Sequence, residues 1–343
     1  MPQGSILGPV LYTVYTNDFP EVVHEENCPH QNEGQVIQYR TMCTECGGIC
    51  CFADDSTYTI TADTAVELSS KLKSKFQIMS TYLTENRLCI NTDKTHLLIM
   101  TTRQKKRKTD GMVVNLDTGH EIITPSRTET LLGFKIHENM NFSEHIMDAK
   151  DALIKTLNKR IGALKKIKKC ASFKAKLNIA NGIFMSKILY LLPLYGGCPE
   201  YLLSALQSKQ NESMRLVTGK RWVIPGKQYV STRDLLNECG WLSIRQLCYF
   251  TTVLSIQKTL VQHNPEYLFN KITSGQRHKT RANKDHKVMR PSVDEGRLGI
   301  ANSSWRWRGN RQHSVLPESL KDEANIKIFK CGLRAWVKNN VLV

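Results

Sequence analysis

The chain has 343 residues, 41% of them hydrophobic, which is enough to bury a core in two or three structural units and too apolar for a disordered polypeptide. Lys and Arg total 48 against 31 Asp and Glu, a formal charge of +17, and an excess of this size points to a polyanionic partner, nucleic acid first. No run approaches the roughly 18 consecutive apolar residues of a membrane span, and Met1-Pro2-Gln3-Gly4 lacks a basic lead into a signal core, so the sequence predicts an intracellular protein with neither signal peptide nor transmembrane segment.

In chain order, Pro2-Gln3-Gly4-Ser5-Ile6-Leu7-Gly8-Pro9 is a Gly/Pro-punctuated loop, and the apolar residues Val10 to Tyr15 start a short helix that ends near Asn17, Asp18 and Pro20. Residues 22–48 are polar and rich in Cys, His, Asn and Gln, the composition of an insertion rather than of a packed sheet. Two short β-prone runs, Ile49-Cys50-Cys51-Phe52 and Ser56-Thr57-Tyr58-Thr59-Ile60, flank an acidic turn and predict a hairpin. After Asp63, read as an N-cap, Leu68, Leu72, Phe76, Met79 and Leu83 recur at three- and four-residue steps and give a helix one apolar face. Strands are expected at His96 to Thr101, Met112 to Leu116 and Thr130 to Ile136, with the basic run Arg103, Lys105, Lys106, Arg107 and Lys108 between the first two, either a solvated turn or a phosphate contact.

Beyond Asn141 the pattern becomes helical. Ile146, Leu153, Leu157, Ile161, Leu164 and Ile167 form one stripe, and Lys155, Lys159, Arg160, Lys165, Lys166, Lys168 and Lys169 cover the rest of the same predicted helix. Further helices are expected over about Phe173 to Leu192, Leu202 to Val217, Ser231 to Cys239 and Ile244 to Gln262, then a polar, basic linker over Thr273 to Asn302 and a closing helix around Phe329, Leu333 and Trp336. The class is α+β: a short antiparallel sheet with helices over residues 1–140, a helical region over 141–272, and a basic linker with a helical tail over 273–343.

Eleven cysteines, an odd and scattered set, do not form a secreted disulfide framework. Cys28, His30, Cys43, Cys46 and Cys50 offer enough soft ligands for one zinc ion, although Cys43-Thr44-Glu45-Cys46 is only half of a tetrahedral site and the other half is irregularly spaced, so free or buried thiols stand as the alternative. Cys51 adjoins the acidic turn and is expected to point into the core.

Transfer of a nucleotide uses two divalent metals held by carboxylates, and an exposed acidic pair on a rigid hairpin suits that chemistry. Phe52-Ala53-Asp54-Asp55 provides such a pair, which in isolation is weak evidence and reads first as a polar turn or N-cap pair. Its neighbours favour the chemical reading: Pro2-Gln3-Gly4 lies upstream, and Asn91-Thr92-Asp93-Lys94-Thr95 with a β-run lies downstream past one amphipathic helix. Asp18, between a helix-like run and Pro20, reads as a helix-end residue and is not assigned to the site.

This order and spacing resembles the palm of the reverse transcriptases of non-LTR (LINE-type, jockey-like) retrotransposons. Pro2, Gln3, Gly4 and Ser5 are similar to that family's nucleotide- and template-supporting loop, which also involves Phe52 and Ala53. Asp54 and Asp55 are similar to its catalytic, Mg²⁺- or Mn²⁺-binding pair, Lys94 to a lysine that assists as pyrophosphate leaves, and Leu132-Gly133-Phe134 to its primer-grip hairpin. Asn141-Phe142 with His145-Ile146 resembles the lead into a helical thumb, whose backbone contacts would come from Lys155, Lys159, Lys165, Lys166, Lys168 and Lys169. Gly240-Trp241-Leu242 with Arg245, Leu316-Pro317, and Phe329-Lys330 with Trp336 carry the resemblance more loosely to the end.

The resemblance implies an RNA-directed DNA polymerase with an RNA template, a DNA primer at a nicked target and dNTPs as partners, packaged with the element's RNA as a ribonucleoprotein in cytoplasm and nucleus. It also implies a first catalytic aspartate upstream of the Pro-Gln-Gly loop, where this chain starts, so the sequence predicts a C-terminal portion without that carboxylate or the fingers, inactive alone. The competing readings are a nucleic-acid-binding remnant and a decayed copy. Trp305-Arg306-Trp307-Arg308 either stacks on bases and pairs with phosphates or packs in a core.

Overall fold

A computed structural model describes residues 7–23, 42–43, 47–101, 123–220, 230–273 and 304–341. The Pro2 to Ser5 loop, the basic run 103–108, the strand expected at 112–116 and nearly all of the expected linker lie outside the described residues. The chain divides into two compact units, Met1–Glu129 and Thr130–Val343, and its small sheets among many helices are the α+β class expected from the sequence.

In the first unit, helix α1 (Gly8–Tyr15) places Pro9 in its first turn, where the missing N–H costs nothing, and α2 (Phe19–Val23) follows one turn later. Strands β1 (Met42–Cys43), β2 (Gly47–Phe52) and β3 (Asp55–Thr59) form an antiparallel sheet in that order. The expected hairpin is β2–β3. Met42 and Cys43 pair with Gly48 and Gly47, so the end of the expected insertion joins the sheet as an edge strand.

Helix α3 (Ala65–Glu85) is capped by Thr64 rather than by Asp63: the Thr64 hydroxyl accepts from Glu67 N at 3.2 Å. Asp63 N instead donates to the Glu67 carboxylate at 3.0 Å, so the acidic residue ties down the entering chain. The apolar stripe of α3 feeds two small clusters. Tyr82 packs with Phe19 and Ile49, while Phe76 packs with Ile123 beside Ile90 and Leu97. Strand β4 (Leu97–Leu98) pairs in parallel with β5 (Pro125–Ser126), a shorter element than the run His96 to Thr101 suggests.

A hairpin, β6 (Thr128–Leu131) and β7 (Phe134–His137), runs across the start of the second unit in the place of the single strand expected over Thr130 to Ile136. Leu132 and Gly133 have φ of +48° and +75°, and two successive positive φ values reverse the chain as a type I′ turn does. The expected basic helix starts later than its stripe. Ile146 lies in a π-helical turn (Glu144–Asp148), and α4 runs Leu153–Ile167, because Ala149 and Ala152 take extended ψ values of 157° and 152° that interrupt the helix.

Helices α5 (Phe173–Ala180), α6 (Ser186–Leu189), α7 (Leu192–Tyr195), α8 (Glu200–Thr218), α9 (Thr232–Cys239), α10 (Ile244–Gln262) and α11 (Glu266–Thr273) follow, then α12 (Trp305–Ser314), α13 (Glu318–Lys321) and α14 (Ile326–Asn340). Leu157, Ile161, Leu164, Phe184, Leu206, Leu242, Val253, Phe329 and Leu333 share one core that runs from Phe134 to Val337. Each such side chain, fully buried, contributes about 1.5–3 kcal/mol relative to exposure. Two buried polar groups have defined partners: Gln210 donates to Leu242 O at 2.9 Å, and Ser243 with Gln246 closes a capping box at the start of α10.

Candidate active site and nucleic-acid interface

The acidic turn is positioned by register. Ile49, Cys50, Cys51 and Phe52 pair with Tyr58, Thr57, Ser56 and Asp55, leaving Ala53 and Asp54 as a two-residue loop. Ala53 has φ +53°, the sign a primed hairpin turn requires at its first loop position, and an L-residue there costs about 1–2 kcal/mol. The ladder behind the turn holds that conformation, anchored by Ile49 at 1% exposure. Asp54 and Asp55 therefore stand adjacent and exposed at the hairpin end, with Phe52 exposed beside them.

Cys51, expected in the core, is exposed, and its sulfur accepts from the Ser56 hydroxyl at 3.6 Å. The reason is position along the strand: the buried cluster ends at Ile49, and Cys51 pairs two rungs further out. Tyr12 of α1 stands near enough to Asp54 for the carboxylate to raise its phenol pKa, an effect second to burial. Asp18 has a structural role. Its carboxylate accepts from Tyr82 Oη at 2.5 Å and its carbonyl accepts from Val22 N at 3.1 Å.

Lys94 closes a 3-10 turn (Thr92–Lys94) and is exposed. Asn91 O organises this turn by accepting from Lys94 N at 3.1 Å and from Thr95 Oγ1 at 2.8 Å. Of the residues expected to hold zinc, Cys28, His30 and Cys46 lie outside the described residues, Cys43 is seen through its strand pairing, and Cys50 is exposed. Among the described residues no three His, Cys, Asp or Glu side chains gather as a metal site.

In the second unit the hairpin residues divide by exposure: Leu132 is exposed at the tip, and Phe134 is buried at the base. The Phe134 ring lies 4.3 Å from the His145 ring centroid, 6.1 Å from Phe142 and 6.3 Å from Tyr195, so the segment Asn141 to Ile146 is the hairpin's packing partner. His145 accepts from Lys135 N at 3.4 Å, and burial, then the Lys135 charge, brings its pKa down to about 4. Lys135 Nζ in turn meets Asp151 at 3.0 Å.

On α4 the buried Leu157, Ile161 and Leu164 leave the opposite face to Lys155, Lys159 and Lys166, all exposed. Their spacing places them within about 40° of one another at about 100° per residue. Lys169 follows the helix and is also exposed. Lys165 differs, because it pairs with Glu212 at 3.0 Å and is partly neutralised. The Trp-Arg segment is a packing element: Trp305 Nε1 donates to Ser255 Oγ at 2.6 Å beside Ile256, Leu260 and Ile272, and Arg308 donates to Pro193 O and to Thr252 Oγ1. Tyr12 and Asp151 escaped sequence reasoning because their partners are distant in sequence and no local spacing marks them.

Residues 1–136 match the family model described as reverse transcriptase (RNA-dependent DNA polymerase). This stretch is similar to reverse transcriptases. Over 235 residues the chain is 23% identical to the RNA-directed DNA polymerase from mobile element jockey of Drosophila melanogaster, covering 68% of this chain and 23% of that protein. It is also 23% identical over 242 residues to the jockey protein of Drosophila funebris, covering 70% and 23%, and 24% identical over 225 residues to the probable RNA-directed DNA polymerase from transposon X-element of Drosophila melanogaster, covering 65% and 22%. These relatives come from non-LTR retrotransposons, and the chain spans less than a quarter of their length. Among the described residues no helix is long and apolar enough to cross a membrane.

Proposed function

We propose that the chain contributes the catalytic acidic pair and the nucleic-acid grip of an RNA-directed DNA polymerase of a non-LTR retrotransposon, acting with an RNA template, a DNA primer at its target and dNTPs, inside the cell and in complex with the element's RNA. The observation that carries this reading is the adjacent, exposed Asp54 and Asp55 on a fixed two-residue turn within the segment that matches the family. Their hard oxygen donors suit Mg²⁺ or Mn²⁺, which polymerase sites bind through one or two carboxylates plus substrate phosphates and water. The metal ions, when bound, would activate the primer hydroxyl and offset charge on the phosphates. Asp54 and Asp55 would orient those ions, Lys94 would lie toward the departing pyrophosphate, Pro2 to Ser5 with Phe52 and Ala53 would support the base pair, and Leu132 to Phe134 would hold the primer end.

Residues 1–343 by themselves are expected not to polymerise, since the reading calls for three carboxylates and Asp54 and Asp55 are two of them. Primer extension on an RNA template with the purified chain tests this. No product is expected, and Mg²⁺-dependent product that disappears in Asp54→Ala would overturn the expectation. A second reading, a catalytically silent nucleic-acid-binding remnant, is favoured by the exposed Lys155, Lys159 and Lys166, whose charge is independent of the acidic turn. The cysteine-rich segment is proposed to bind one zinc ion, so elemental analysis of protein purified without chelator should find about one equivalent.

A further inference from the structure

We propose that Tyr190 is a positioning residue that latches the tip of the Leu132–Gly133 hairpin to the helical unit and so sets where Leu132 meets the primer end. This inference rests on the primer-grip reading of the hairpin. The tip is a place where a tether has consequences: Leu132 occupies a positive φ that an L-residue disfavours, and its side chain is 42% exposed, so local packing does little to fix it. Tyr190 Oη, 58 residues away, donates to Leu132 O at 2.5 Å. Its own side chain is 47% exposed, so core packing does not account for its position.

The chain around Tyr190 is shaped for the reach. Helix α6 ends at Leu189, Tyr190 takes an extended ψ of 116°, and Leu191 turns left-handed at φ +55° before α7 begins. Four residues further on, Tyr195 is buried with its ring 6.3 Å from Phe134 and 5.5 Å from His145. One corner of the helical unit thus grips the hairpin twice, at its base through Tyr195 and at its tip through Tyr190. Lys135, held by Asp151 through its ammonium and by His145 through its backbone N–H, adds a third attachment on the returning strand. The base and the returning strand are held by packing and charge, and the tip, among the described residues, by the Tyr190 phenol.

Tyr190→Phe removes that hydrogen bond and keeps the ring, and Leu132→Ala removes the exposed side chain and keeps the latch. Both are compared with the 343-residue chain by amide hydrogen exchange over residues 130–135 and by affinity for an RNA–DNA hybrid with a recessed DNA 3′ end relative to the same hybrid with blunt ends. Tyr190→Phe should speed exchange roughly five-fold, the loss of one net hydrogen bond, and lower the recessed-end preference. Leu132→Ala should lower the preference with exchange unchanged. Unchanged exchange in Tyr190→Phe, or an intact preference there while Leu132→Ala loses it, would overturn the positioning role alone. An intact preference in both variants would overturn the primer-grip reading and the inference with it.

Discussion

Replacing Lys155, Lys159 and Lys166 together with Gln removes three exposed charges from one face of α4 and leaves its buried Leu157, Ile161 and Leu164 in place. Each phosphate neutralised releases condensed counterion, so each lost contact should flatten the slope of log affinity against log salt by about 0.9 on duplex and about 0.7 on single strands. Three contacts give about 2.7 on duplex, so across a fourfold rise in salt the variant should lose about 1.6 log units less affinity than the parent chain. Fluorescence anisotropy with a labelled hybrid at several salt concentrations reads both slopes. Stability should change by less than about 0.5 kcal/mol per site, because the side chains are exposed, and sequence preference should stay as it was. Lys165→Gln provides an internal comparison: its ammonium already meets Glu212, so its effect on the slope should be smaller than that of Lys159→Gln. A triple variant with the parent's affinity and slope would make this face plain solvated surface and remove the support for a nucleic-acid grip on α4.

Gly309→Ala should destabilise the second unit by about 1–3 kcal/mol, as overpacking does. A β-carbon there would stand 2.6 Å from Ile256 Cγ1 and 2.9 Å from its Cδ1, and urea unfolding with no loss of stability would contradict the close crossing of α12 on α10. His145 should titrate near 4 instead of at its ordinary 6.5. Since the folded value is the lower one, the stability that its neutral ring supports is complete above about 6.5 and declines as pH falls toward about 4. An imidazole NMR midpoint near 6.5 would contradict that environment.

The acidic turn was legible because three local signals agree at one place: β-prone runs on both sides, two adjacent carboxylates and a short loop. The helical half was legible for a similar reason, since Leu157, Ile161 and Leu164 repeat at helical spacing and α8, α9 and α10 fall close to their expected spans. The start of α4 was not, because Ile146 and Leu153 are seven residues apart and fit a continuous stripe, while the break at Ala149 follows a turn whose His145 packs against the distant Phe134. The β6–β7 turn was hidden from residue patterns by Leu132 standing where Asn or Asp would ordinarily mark a type I′ turn, and only the family resemblance identified a hairpin there. Composition alone left Trp305 to Arg308 open between stacking on bases and packing. Gly309, which admits the close helix crossing, was the local sign of packing.

The central claim, that Asp54 and Asp55 form a metal-binding pair, is tested most directly by Mn²⁺ titration of the isotopically labelled chain, read as paramagnetic broadening of backbone amides. Residues 52–56 should broaden at the lowest Mn²⁺ concentrations, Mg²⁺ should compete the effect away, and Asp54→Asn with Asp55→Asn should abolish it while the hairpin's chemical shifts persist. Broadening spread evenly over surface carboxylates, or unchanged at the turn in the double variant, would contradict the assignment.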